Sequence, residues 1–243
     1  MLETGRMMPL ITHATSADES ARGSRIAVLP VGSFEQHGAH LPLITDTAIA
    51  CMIAQRIATD HGLFLLPPVT MSCSHEHAGM TGTVSISAVT LYAVIGDIWR
   101  SLQASGIQGL IIVNGHGGNY VLSNFVQEAS VAGPRVALFP TRDDWQQARA
   151  DACLESTSTE DMHGGELEVS LLLHGAPELV RDGVEADDHA APQRPHLLTL
   201  GLTAYTPNGI IGNPSLASAV KGKAILASLS HSAAGHLAIL AAD

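Results

Sequence analysis

The segment Leu29-Pro30-Val31-Gly32-Ser33-Phe34-Glu35-Gln36-His37-Gly38-Ala39-His40-Leu41-Pro42-Leu43-Ile44-Thr45-Asp46 sets a Glu, two His and an Asp along one strand exit. Glu35 and His37 are two residues apart, so on extended backbone their side chains point the same way, with His40 and Asp46 following closely. One divalent metal, or two, can be held there. A second candidate is His116 in the turn Asn114-Gly115-His116-Gly117-Gly118-Asn119, where glycines let the chain bend sharply after a strand. A third is Asp161-Met162-His163-Gly164-Gly165-Glu166-Leu167-Glu168-Val169-Ser170, which opens a helix and offers His163 beside Glu166 and Glu168. Mixed His and carboxylate ligation without cysteine suits zinc, manganese or related divalent ions, iron among them.

Each cluster also has a plainer reading. Asp46 is as good a helix cap as a ligand, and Glu166 and Glu168 suit the first turn of a helix through its dipole. The turn at Asn114–Asn119 resembles a phosphate loop but lacks the G-x-G-x-x-G spacing. Three clusters, all His and carboxylate and all at strand ends or helix starts, favour a metal centre over three coincidences.

The elements around them alternate. Arg25–Val31 reads as a buried strand, Thr47–Thr59 as a helix capped by Thr45 or Asp46, and Phe64–Val69 as a second strand. Met71–Ser87 is rich in Ser, Gly, Thr and His, the profile of a functional loop. A helix carrying Leu91, Val94, Ile95, Ile98 and Leu102 precedes the strand Gly109–Val113. A helix with Leu122, Phe125, Val126 and Ala129 precedes the strand Arg135–Phe139. Continuous apolar strands between helices predict a three-layer α/β/α fold with a mostly parallel central sheet, active residues lying at the strands' carboxyl ends. Residues 1–25 read as a polar tail with a short helix near Ser16–Arg22, and 26–243 as a single domain. An irregular, proline-rich excursion over 176–215 and a last helix with Leu226, Leu229, Ala233, Leu237 and Leu240 inward complete it.

Bulk properties narrow the function. With 46% hydrophobic and 14% charged residues in 243, the chain can bury one large core unaided. A formal net charge of -11 argues against nucleic acid as a partner. Three separated cysteines give no disulfide framework or thiolate zinc site and fit a reducing cytoplasm. No signal peptide or membrane-spanning run is read. His13, His61, His174, His189, His196, His231 and His236 are assigned no role, and Trp145 lies in a stretch that can edge a pocket.

Taken together, Pro30-Val31-Gly32-Ser33-x-Glu35-Gln36-His37-Gly38-x-His40-Leu41-Pro42 with Asp46, Ser74-His75-Glu76-His77 with Gly82-Thr83-Val84-Ser85, the Asn114–Asn119 turn, and His163-Gly164-Gly165-Glu166-Leu167-Glu168-Val169-Ser170 give the chain a likeness that spans nearly its whole length. It resembles the creatininase family of metal-dependent amidohydrolases, and in its turn motif the mycofactocin-type peptidase branch. Gly209-Ile210-Ile211-Gly212-Asn213-Pro214 matches the family's turn before its last helix. The resemblance implies two divalent metals, a homo-oligomer such as a hexamer, and hydrolysis of a C–N bond in a small-molecule amide or a short peptide. It also implies ligands: Glu35, Asp46 and His116 for one metal, and His37, Asp46 and a further carboxylate for the other, with Asp46 bridging.

Creatinine-hydrolysing members carry that last carboxylate two residues after the turn histidine, where this chain has Gly118; Glu168 is the expected substitute, with Glu166 as the alternative. Gly164 and Val169 replace the usual Ala and Thr with little change of size. The expected mechanism is attack by a metal-bridging hydroxide on an amide or cyclic amide, with His163 as proton carrier. Ser74, Glu76, His77 and Trp145 are the expected substrate contacts, Glu76 and His77 having orientation of the metal ligands as their other reading. A formamide hydrolase, a mycofactocin-type peptidase trimming a short precursor peptide, and a noncatalytic metal-binding scaffold are the alternatives.

Overall fold

A computed structural model describes residues 12–242; the part of the expected tail before Thr12 lies outside them. Thr15 caps α1 (Ser16–Arg22) in a reciprocal capping box with Asp18, and α1 buries none of its residues. β1 (Ile26–Val31), β2 (Phe64–Leu65), β3 (Gly109–Asn114) and β4 (Val136–Phe139) form one sheet in the order β2-β1-β3-β4, every pair parallel. Alternation along the strands sends side chains to two faces. Val28, Ile111, Val113 and Phe139 pack with α2 (Thr45–His61), α5 (Arg142–Asp151), α6 (Glu166–Gly175) and α8 (Ala219–Leu240). Ala27, Leu29, Val31, Leu110 and Ile112 pack with α3 (Ala88–Ala104) and α4 (Val121–Ala129). The result is the expected α/β/α sandwich.

β2 is shorter than the apolar run Phe64–Val69 predicts. Pro67 and Pro68 have no N–H to give a ladder, so regular pairing stops at Leu65. Val69 rejoins through its N–H to the Pro30 carbonyl at 2.9 Å, and Gly32 N–H returns to the Val69 carbonyl at 3.0 Å. Pro30 thus sits in a central strand on the side where its neighbour is already interrupted.

Two further differences concern helices. α2 begins at Thr45, its N-cap is Ile44, and no side chain caps it; the Thr45 hydroxyl donates instead to the Pro42 carbonyl at 2.7 Å. Asp46 is therefore not a cap. α5 has no counterpart among the expected elements, because its sequence is mostly polar, yet Thr141 and Asp144 close a capping box at its start. The excursion holds α7 (Leu197–Leu200) and several short 3-10 turns.

The connection from β1 runs one way along the sheet and that from β3 the other, so the loops after these two strands part at a topological switch point. Those loops carry Glu35, His37 and His116. No described helix is long and apolar enough to cross a membrane.

Candidate active site

Glu35 and His37 leave β1 on a loop held by the Glu35 N–H on the Leu43 carbonyl at 3.1 Å and the Val84 N–H on the Phe34 carbonyl at 2.9 Å. Both side chains are fully buried. Asp46 enters from the first turn of α2, where the Ser33 hydroxyl donates to its Oδ2 at 2.8 Å. His116 arrives from the turn after β3. Gly115 there lies so close to α2 that a Cβ would strike the Asp46 carbonyl, so the glycine is a condition of the two elements meeting. Asn119 ties the turn to its neighbours, accepting from Cys73 N–H at 3.1 Å and donating to the Asn114 side chain at 3.0 Å. His163 is pinned across an antiparallel bridge to Ile211, each backbone N–H donating to the other's carbonyl at 2.9 Å. The Gly209–Pro214 turn thereby fixes an imidazole at the site.

Three donor groups result: Glu35 with Asp46 and His116; His37 with Asp46 and Glu168; and Glu35 with His37 and His163. His116 Nδ1 lies 3.1 Å from Glu35 Oε1 and 3.0 Å from Asp46 Oδ2, and His37 Nε2 lies 3.1 Å from Asp46 Oδ1. The far nitrogen of each ring is tied to backbone: His37 Nδ1–H to the Glu35 carbonyl at 3.1 Å, His116 Nε2–H to the Cys73 carbonyl at 2.9 Å, and His163 Nε2–H to the Gln36 carbonyl at 2.8 Å. A carbonyl can only accept, so each bond keeps a proton on the far nitrogen and aims the near nitrogen inward, the orientation a metal-binding imidazole requires.

Glu35 supplies the test of whether such a metal fits. Both its carboxylate oxygens are buried and have no donor in hydrogen-bonding geometry among the described residues, although three ring nitrogens stand within 3.8 Å of Oε1. An ionised carboxylate sealed without a donor costs several kcal/mol unless a cation faces it. The donor set accepts divalent ions.

The electrostatics agree with a cluster built around opposite charge. Burial opposes ionisation of Asp46, yet His37 and His116 hold its carboxyl well below the usual range. Burial pulls His37 down, but Asp46 and Glu168 outweigh it and push the imidazole up to about 9. Burial pushes Glu168 up to about 7 against the attraction of His37. Burial, then His37 and His77, carries His163 well below its ordinary value, leaving it neutral.

Of the two late carboxylates, only Glu168 reaches the cluster; its Oε2 accepts from the Gly164 N–H at 2.5 Å. Glu166 turns away to Lys221 at 2.6 Å and to the Ser156 hydroxyl and backbone N–H. Burial raises its carboxyl, but Lys221 and Ser156 bring it below the usual range. The depressed value means stabilisation present above the unfolded value of 4.5 and lost as pH falls through the lower folded one. Glu166→Gln is therefore expected to cost about 3 kcal/mol near neutrality, the low end for a broken buried pair because Lys221 keeps some solvent. The cost should shrink in denaturant titrations below about pH 4.5. Metal content should not change, and its loss in this variant would contradict the assignment.

His40 does not join the cluster; its Nδ1 meets Asp187 Oδ2 at 2.5 Å and ties the loop to the excursion. Among the expected substrate contacts, Ser74 and His77 lie in the interior. Gln36 donates its amide to His77 Nδ1 at 3.1 Å, which leaves the proton on Nε2, facing Glu35 at 3.2 Å. His77 thus stands beside Glu35 without hydrogen-bonding geometry to its carboxylate. Trp145 borders a cavity of about 370 Å³ together with His116, His163 and Glu168. Glu76 borders a second cavity with Tyr120 and Leu198. A Cβ at Gly118 would strike Glu76 Oε1 and His116 Nε2. Ser33 and Gln36, which hold Asp46, His77 and the Gly209 carbonyl, had no role in the sequence reading. Their only signal was membership of the same short motif.

A parallel sheet with buried His and carboxylate donors at the carboxyl ends of its central strands, opening on a cavity, has the architecture of a metal-dependent hydrolase. A family model described as creatinine amidohydrolase matches residues 12–237, and the chain belongs to the creatininase family. It is a hydrolase of C–N bonds. The mycofactocin precursor peptide peptidase of Mycobacterium ulcerans is 36% identical over 214 residues, covering 83% of this chain and 80% of that protein. The creatinine amidohydrolase of Pseudomonas putida is 28% identical over 226 residues, covering 85% and 86%. A crystal structure of creatinine amidohydrolase superposes with a TM-score of 0.79 at 26% identity, covering 93% of this chain and 95% of that one.

Proposed function

We propose that the chain hydrolyses the amide bond of a small molecule or short peptide in the cavity beside His116, His163 and Glu168, using two divalent ions, zinc or manganese. The observation that carries this reading is the orphaned Glu35 carboxylate ringed by inward-facing imidazoles. Glu35, Asp46 and His116 are the proposed holders of one ion, and His37, Asp46 and Glu168 of the other, with Asp46 shared. When bound, the ions supply Lewis acidity that brings the pKa of water towards neutrality and polarises an amide carbonyl.

The chain's own residues do the rest. Ser33 and the His37 ring fix both oxygens of Asp46. His163, neutral and tied at Nε2, has Nδ1 free to accept a proton and to return it to the leaving nitrogen. Trp145 walls the cavity and presents an apolar face to the substrate. Glu76 is proposed to steady the turn at His116, whose Nε2 it approaches at 3.5 Å.

Peptide trimming is the second reading. It is supported by the 36% identity to a precursor peptide peptidase and by Gly118, whose surroundings leave no room for the side chain that creatinine-hydrolysing members carry there. The working unit is proposed as one domain over 26–243, cytoplasmic in keeping with its few cysteines. A homo-oligomer, such as a hexamer, would cover exposed Tyr120, Leu198 and Leu200.

The test is amine release from a panel of amides and short peptides before and after chelation. Activity lost to the chelator and restored by zinc or manganese supports the proposal. Activity indifferent to the chelator, in protein shown to be metal-free, would contradict it.

A further inference from the structure

The wall of the cavity at His116 and His163 carries two arginines, Arg142 and Arg149. Arg149 is fully engaged: its guanidinium donates to the Ser156 carbonyl at 3.0 Å, to the Asp161 carbonyl at 3.0 Å and to Asp161 Oδ2 at 2.7 Å. Its work is to hold the strand of chain leading to His163. Arg142 makes no hydrogen bond or ion pair among the described residues. It also stands at the first position of α5, where a cation opposes the helix dipole, so helix stability does not account for it. In a chain of net charge -11, an unengaged guanidinium on the wall of the reaction cavity is a feature to be explained.

A planar fork of N–H donors matches a carboxylate in a bidentate pair, and a charge held at a cavity wall fixes which end of a substrate lies towards the reacting groups. We infer that Arg142 selects substrates bearing a carboxylate, as a peptide does at its C-terminus, and anchors that group so that the scissile amide faces His163 and Glu168. This rests on the function proposed above and narrows its substrate class. Arg142 acts on specificity, not on metal loading, since it is in none of the donor groups.

The experiment measures equilibrium binding of N-acetylglycine and of N-acetylglycinamide to the protein with its native metal content, in wild type, Arg142→Met and Arg142→Lys. Wild type is expected to bind the acid at least tenfold more tightly, about 1.4 kcal/mol. In Arg142→Met the two probes should bind within about twofold of each other, with metal content and melting temperature unchanged, and Arg142→Lys should keep part of the preference. Equal affinities in wild type, or no measurable binding of the acid, would overturn the inference. So would a preference that survives in Arg142→Met, since the carboxylate would then be held elsewhere, at the metal centre itself. Failure of the hydrolase reading is seen separately, as amine release that ignores chelation.

Discussion

Asp46→Ala is expected to abolish C–N hydrolysis, by at least ~10³-fold in kcat/KM, because one substitution breaks two donor groups. Asp46 is common to the set with Glu35 and His116 and to the set with His37 and Glu168. Lewis-acid stabilisation is worth several kcal/mol, and each 1.36 kcal/mol is a factor of ten in rate. The variant also strands its neighbours. His37 Nε2 and His116 Nδ1 each lose a carboxylate at 3.0–3.1 Å, and Ser33 loses its acceptor. Because the Asp46 backbone sits in the first turn of a well-packed helix and its side chain does not cap that helix, α2 should survive. Circular dichroism with amine-release kinetics checks both halves. Near-wild-type turnover in a folded Asp46→Ala protein would remove Asp46 from the centre.

His163→Ala is expected to separate metal from turnover. The ring borders the cavity, is held in one tautomer by the Gln36 carbonyl, and is kept neutral by burial and by His37 and His77. A neutral imidazole with Nδ1 open can take and return a proton, a role worth about 10²–10⁴-fold. The expected result is a fall of that size in kcat with metal content unchanged. His163 also shares a donor group with Glu35 and His37, which makes metal content the deciding readout. Loss of an ion would make it a ligand, and unchanged kcat would leave it without a role in the reaction.

Much of this arrangement is legible in the residues. Continuous apolar runs such as Ile26–Val31 and Gly109–Val113 mark strands buried on both faces, and they sit in the middle of the sheet. Clusters that end such strands have to meet when the strands are neighbours, so Glu35, His37 and His116 converge although some eighty residues separate them. Glu166 and Glu168 are not separable by spacing, because both belong to the first turn of α6. A lysine 55 positions away decides which turns away from the cluster. His40 looks like a ligand in sequence for the same reason, and only the excursion that brings Asp187 to it shows otherwise. α5 escapes a hydrophobic pattern because Trp145 and Ala148 are its few inward apolar groups. Even so, Thr141-x-x-Asp144 is a readable start signal. The interior placement of His77 depends on Gln36, a pairing across 41 positions that no local rule encodes.

The most direct test of the metal centre is the divalent metal content per chain of protein purified without added metal, measured beside Asp46→Ala. About two ions per native chain, with both lost or weakened in the variant, is the predicted result. A native protein that carries no divalent ion and takes up none on addition, with Glu35 and Asp46 intact, would contradict it.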